Sequence, residues 1–164
     1  DRSVSRGLGD VYKRQLYQSR RGILVRQGHP LIKKYEKAGR IELDDLRAFK
    51  HVMMNLPGTP ELSPAAYQQY SFEVGISLPY FLGVPYVLAD TDYVYIGPVV
   101  TLMHCLRLPD CNLRVLPAPP EVSPFTPAII WHHGAHTDPF LQWVRGVLLQ
   151  SAREEGKRYN AIEI

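Results

Sequence analysis

In the stretch WHHGAHTDPFLQWVR, Trp131 to Arg145, His132, His133 and His136 fall within five positions, followed by Asp138. Imidazole nitrogens and a carboxylate are the donors of a zinc site, and His136 paired with His132 or His133, plus Asp138 as a third ligand, is the obvious candidate. A four-residue spacing aligns two ligands only on a continuous helix. Gly134 and the Asp138-Pro139 start signal put these histidines before a helix, and the glutamate of HExxH is absent. The expectation is therefore no metal, with the histidines capping a strand or bonding to carbonyls. Cys105 and Cys111 complete no CxxC pair and read as buried, inert thiols. The chain has no GxSxG elbow for a nucleophile and no GxGxxG or GxxxxGK[ST] loop for a phosphate. No catalytic residue and no cofactor is assigned, and the chain reads as something other than an enzyme.

A ligand site of another kind fits GISLPYFLG, Gly75 to Gly83, where a strand passes into a helix. Ser77 is a candidate N-cap and Pro79 falls in the first turn of a helix expected to run to about Ala89, bent at Pro85. Free N–H groups at a helix start favour an anion, and Tyr80 and Phe81 would sit beside them. Phe49 and His51, beside another strand start, could supply an aromatic wall and a hydrogen-bonding imidazole. Ordinary core or surface packing stands as the alternative for all four.

The elements that would position these groups alternate. Apolar runs at Ile23–Val25, HVMM, FEVGIS, Tyr93–Ile96, LRVLP and AIIW read as strands. Between them, helical patterns are read over Leu43–Phe49, AAYQQY, the Pro79–Ala89 stretch and VVTLMHCLR. A last amphipathic helix starts at Pro139, with apolar residues from Phe140 to Ser151 at spacings of three and four and a stop signal at Gly156. LPGTPELSP and APPEVSPFTP read as loops. Strands alternating with crossover helices predict an α/β fold with a largely parallel sheet.

The 164 residues, 45% hydrophobic and 21% charged, suit one folded domain or a large part of one. Every apolar run is interrupted long before the length a membrane helix needs. Two cysteines and no secretory signal point to a cytoplasmic setting. The segment SRGLGDVYKRQ, Ser5 to Gln15, matches the in-frame translation of a common sequencing adaptor, so residues 1–15 are set aside from the fold. They carry two of the three net positive charges, which leaves no basic surface to argue for nucleic-acid binding.

Taken in order, LVRQGHPL, FKHVMM, LPYFLGVPYVLADTDYVYIGP, LRVLPAP and IIWHHGAHTDPFLQWVR resemble the effector-binding domain of LysR-type transcriptional regulators. The nearest subgroup is that of the nodulation and aromatic-catabolism regulators. Their terminal signature corresponds here to Trp131, His132, Asp138, Pro139, Trp143, Val144 and Arg145, with Val144 in place of leucine. The resemblance covers roughly Gly22 to Arg153. It implies a periplasmic-binding-protein-like (type 2) bilobal α/β domain, one lobe complete and the other partial.

Residues 16–28 would then end the first lobe and cross over, 29–127 would form the second lobe, 128–156 would return to the first, and 157–164 would be a tail. A small aromatic or carboxylate effector would bind between the lobes. By the same resemblance Phe49, His51, Tyr80 and Phe81 would be effector-facing, and His132, with His133, would face the cleft; Tyr80 stands where histidine is common. A homodimer or homotetramer would form through this domain, and DNA would be contacted only by a separate N-terminal winged helix-turn-helix. No membrane contact is implied. Part of the first lobe's sheet would be missing, leaving apolar surface such as Trp143 and Val147 without its cover. An extracytoplasmic solute-binding protein is the runner-up, and a metal-dependent enzyme the third reading.

Overall fold

The computed structural model describes residues 2–5, 9–55 and 64–160. It forms two compact units: one joins the chain up to Arg20 with the chain from Pro124 onward, and the other runs continuously from Arg21 to Ser123.

In the continuous unit, the run RGILVR forms β3 (Arg21–Arg26), the middle strand of a sheet ordered β6-β3-β7, with β6 at Tyr95–Pro98 and β7 at Leu113–Pro117. Ile23, Leu24 and Val25 are completely buried, as a strand covered on both faces requires. Both neighbours of β3 are antiparallel to it. By contrast β4 (His51–Met54) and β5 (Val74–Leu78) pair in parallel, and His51 of β4 makes an isolated parallel bridge to Val94, just before β6. The arrangement is thus mixed where a largely parallel sheet is expected. β3, expected among the residues ending the first lobe, is the centre of this unit, because its unbroken apolar run must be covered on both sides.

Alternation along β3 and β6 sorts the core into two layers. Ile23, Val25, Val94 and Ile96 face one side, with Leu31 and Ile32 of α1 (Pro30–Ala38), Leu46 of α2 (Leu43–Arg47) and Tyr67 of α3 (Pro64–Gln69). Leu24 and Tyr95 face the other, with Val84 and Leu88 of α4 (Val84–Ala89) and Leu102 and Cys105 of α5 (Val99–Cys105).

Helix α1 has no counterpart among the expected elements. His29 caps it, accepting the Leu31 N–H at Nδ1 (3.1 Å); Pro30 opens its first turn; Gly39, at φ 71°, closes it in the left-handed conformation that glycine adopts without strain. Helix α2 is fixed by Asp45, which accepts the Glu42 N–H (3.0 Å) and an ion pair from Lys34. Burial on its own pushes this carboxyl up, but those hydrogen bonds and the Lys34 charge together hold it below the ordinary carboxylate range. The helix expected from Pro79 begins later. β5 runs to Leu78, a short 3-10 turn covers Phe81–Gly83, and α4 starts at Val84 with Pro85 in its first turn. Pro85 therefore opens a helix and bends none, in keeping with its missing N–H. Most of the loop expected at Leu56–Pro64 lies outside the described residues.

In the other unit, β2 (Gly9–Gln15) lies between β1 (Arg2–Ser5) and β8 (Ala128–His132), antiparallel to both. The segment set aside as foreign is thus paired residue for residue with β8, from Val11 opposite His132 to Gln15 opposite Ala128. Helix α6 (Pro139–Asn160) is capped by Asp138, which accepts the Leu141 N–H at 2.9 Å. Gly156 does not stop it. A Cβ there would lie 2.8 Å from that of Tyr17, so this glycine lets the segment before Arg20 pack directly on the helix. Phe140, Trp143 and Val147 are exposed.

Candidate functional site

Parallel pairing of β4 with β5, and the parallel bridge from His51 to Val94 just before β6, bring three strand ends to one edge of the continuous unit: Asn55 after β4, Pro79 and Tyr80 after β5, and Val99 after β6. The Asn55 N–H donates to the Leu78 carbonyl (2.9 Å), which ties the first two ends together. Open α/β folds present ligand-binding groups at this kind of edge. Tyr80 stands there with 75% of its surface exposed, and Leu82, after it, is exposed too. Phe81 turns inward, its ring 5.7 Å from that of Tyr95. The free helix-start N–H groups expected beside Tyr80 are displaced by the 3-10 turn.

The remaining candidates lie elsewhere. Phe49 is half-buried against the first core layer, its ring 4.6 Å from the His29 ring. His51 is completely buried, stacked on Phe72 at 4.2 Å with its Nε2–H donating to the Leu46 carbonyl (3.0 Å). Both faces of β4 are covered, so a residue at its start is enclosed whichever way it points. Desolvation moves the His51 imidazole below its ordinary value, opposed by the Leu46 carbonyl. Phe49 and His51 therefore sit with the first core layer and Phe81 with the second. His132, in the other unit, is exposed and accepts the Gly134 N–H at Nδ1 (3.1 Å), capping its own short turn.

The histidine cluster is used locally. His136 accepts a hydrogen bond from Trp131 Nε1 (3.3 Å). Arg145 lies 4.8 Å over the Trp131 ring and donates to the Ala135 and His136 carbonyls. No group of three metal-ligating side chains converges among the described residues. Cys105 and Cys111 are free and buried, and burial pushes the Cys105 thiol up to about 11. No helix of the described residues is long and apolar enough to cross a membrane.

Sequence reasoning missed His29. Its ring is completely buried, and its Nε2–H donates to the Asp92 carbonyl at 3.2 Å while Nδ1 caps α1. The available signal was a polar side chain immediately before a proline and an apolar pair, the grammar of a helix start.

No family model matches the chain. It is 26% identical over 152 residues to the HTH-type transcriptional regulator SyrM of Rhizobium meliloti (strain 1021), which covers 88% of this chain and 43% of that protein. It is 26% identical over 107 residues to Nodulation protein D 2 of Bradyrhizobium sp. (strain NC92), covering 64% of this chain. The chain thus spans less than half the length of these relatives. In fold it is similar to the effector binding domain of QuiR in complex with shikimate, with a TM-score of 0.67, 14% identity, and coverage of 93% of this chain and 70% of that one. HinK, a LysR family transcriptional regulator from Pseudomonas aeruginosa, gives a TM-score of 0.63 at 15% identity, over 89% of this chain and 48% of that one. Over most of its length the chain is thus similar in sequence to HTH-type transcriptional regulators, and in fold to an effector-binding domain and to a LysR family transcriptional regulator.

Proposed function

We propose that this chain senses a small aromatic or carboxylate compound for a DNA-binding transcriptional regulator. DNA would be contacted by a part of the protein outside this chain, and the domain would assemble as a homodimer or homotetramer in the cytoplasm. Binding would act by population shift: an effector that prefers one arrangement of the regulator changes how it meets its promoter, with no chemistry done on the effector.

The observation that carries this reading is the fold, matched over nearly the whole chain by domains solved with small carboxylates, QuiR with shikimate and BenM with benzoate. Within the continuous unit, Tyr80 supports it as an exposed aromatic ring at the carboxyl edge of the parallel strands. Tyr80 is the contact residue in this reading. Phe81 anchors its turn on Tyr95, and Phe49 and His51 form packed layers behind. His132 is left to its capping role.

Calorimetric titration of the chain with benzoate and shikimate is expected to show saturable binding by at least one of them. Tyr80→Ala should weaken it about tenfold or more, the equivalent of roughly 1.4 kcal/mol. Absence of binding by wild type and variant alike would remove the support for this reading, and equal binding by both would move the site away from Tyr80.

A further inference from the structure

Two of the chain's histidines have no accessible surface, and both brace the layer of helices on the first core. At His29, Nδ1 accepts the Leu31 N–H and Nε2–H donates to the Asp92 carbonyl. This pattern uses both ring nitrogens of the neutral imidazole and fixes its tautomer. A second proton would have to go on Nδ1, where it would face the Leu31 N–H donor. The cap of α1 would then be lost, and the Phe49 ring packed against this imidazole would lose its partner.

His51, at the start of β4, is bonded through a single ring nitrogen. Its Nε2–H holds the Leu46 carbonyl near the end of α2, and its Nδ1 is buried with no hydrogen-bond partner. A proton there would have no acceptor, beside the stacked Phe72 ring and the edge of Tyr67. The Tyr67 hydroxyl is already committed to the Val52 carbonyl (3.0 Å).

The surrounding charges do not offset this. Asp92 faces His29 and favours its protonation, whereas Arg26, also facing it, opposes protonation and is itself paired with Asp92 at 2.7 Å. Beside His51 the flanking pair, Lys50 with Glu73, is closed on itself at 3.1 Å. For both histidines burial is the dominant influence and disfavours the cation.

We propose that His29 and His51 form an acid-sensitive latch: while neutral they hold the start of α1 and the α2–β4 junction onto the sheet, and protonation releases both. The latch does not depend on which effector the domain binds.

The sign follows from linkage. A buried histidine that resists protonation contributes stability that is complete above its unfolded value, near 6.5, and is lost as pH falls through its lower folded value. Each such group can raise the opening equilibrium by up to about tenfold per pH unit in that window.

Amide hydrogen exchange of the whole chain between pH 7.5 and 5, corrected for intrinsic rates, should show opening at the Leu31 amide rising steeply below about pH 6.5. The ladder amides of β7 should stay protected over the same range. His29→Asn, whose side-chain oxygen can still cap Leu31 but does not titrate, should make Leu31 protection independent of pH. His51→Gln, which keeps a donor for the Leu46 carbonyl, should remove the pH dependence at the α2–β4 junction. Unchanged pH dependence in these variants, or none in the wild type, would overturn the latch. If the variants fail to fold, the wild-type imidazole resonances decide: titration of His29 and His51 at ordinary values with Leu31 protection intact would overturn it, and depressed titration coincident with Leu31 opening would support it.

Discussion

Leu24→Ala is expected to destabilise the continuous unit by about 3–5 kcal/mol, near the upper end for removing a buried leucine side chain. Leu24 is completely buried on the middle strand, and its backbone is held on both sides, by Tyr95 of β6 and Val115 of β7. A strand fixed on both edges cannot move inward to fill the space that alanine leaves, so the cavity term is added to the lost transfer energy. The layer it enters, with Val52, Met54, Val84, Leu88 and Leu102, is made of side chains that are themselves almost fully enclosed. Urea denaturation should show a lower midpoint with an unchanged slope. Ile130→Ala is the control: this residue lies on β8 of the other unit with 57% of its surface exposed, and its cost should stay below about 1 kcal/mol. A loss below about 1.5 kcal/mol at Leu24 would show that the central sheet can repack, contrary to the two-sided covering described.

The second large effect concerns association. Phe140, Trp143 and Val147 recur at helical spacing on α6, and Phe140 and Trp143 stack on one another at 6.1 Å with about two thirds of each ring's residue exposed. Aromatic side chains of this kind each offer on the order of 100 Å² or more for burial, and at roughly 25 cal/mol per Å² the pair represents several kcal/mol of unrealised hydrophobic energy. Sedimentation velocity of the chain is therefore expected to show concentration-dependent association. The double substitution Phe140→Lys with Trp143→Lys should weaken it at least tenfold while α6 persists by circular dichroism, since lysine is a good helix former. A monomeric wild-type chain across the whole concentration range would contradict this.

How much of this was legible in the sequence varies by element. β3, β4, β7 and β8 were readable because each is a short apolar run between turn residues, and α6 because Asp138 and Pro139 announce it. Helix α1 was not, since its cap is an imidazole, outside the usual Ser, Thr, Asp and Asn set, with its tautomer fixed from the other side by the Asp92 carbonyl. The direction of β3 was also hidden. An apolar run is the same pattern whether its neighbours run parallel or antiparallel, and only the long-range pairing to β6 and β7 decides. The candidate site was legible in part. Tyr80 stands exposed at a strand end, whereas the burial of His51 follows from β4 being covered on both faces, which residue type alone does not reveal.

The interruption of one unit by the other bears on how the chain reaches its fold. Strand β2 must find β8, and Ser19 must bridge to Phe125, across the entire run Arg21–Ser123, whereas β3, β6 and β7 close within that run. Closing a long loop costs less once the intervening chain is compact, so the continuous unit is expected to form first and act as a short clamp that brings the two ends together. Pulse-labelling during refolding should find the amides of β3 protected before those of β8. The reverse order would mean that the outer strands nucleate the chain. On a ribosome the same ordering applies with more force, because Gly156, where Tyr17 packs, emerges only after the whole run Arg21–Ser123.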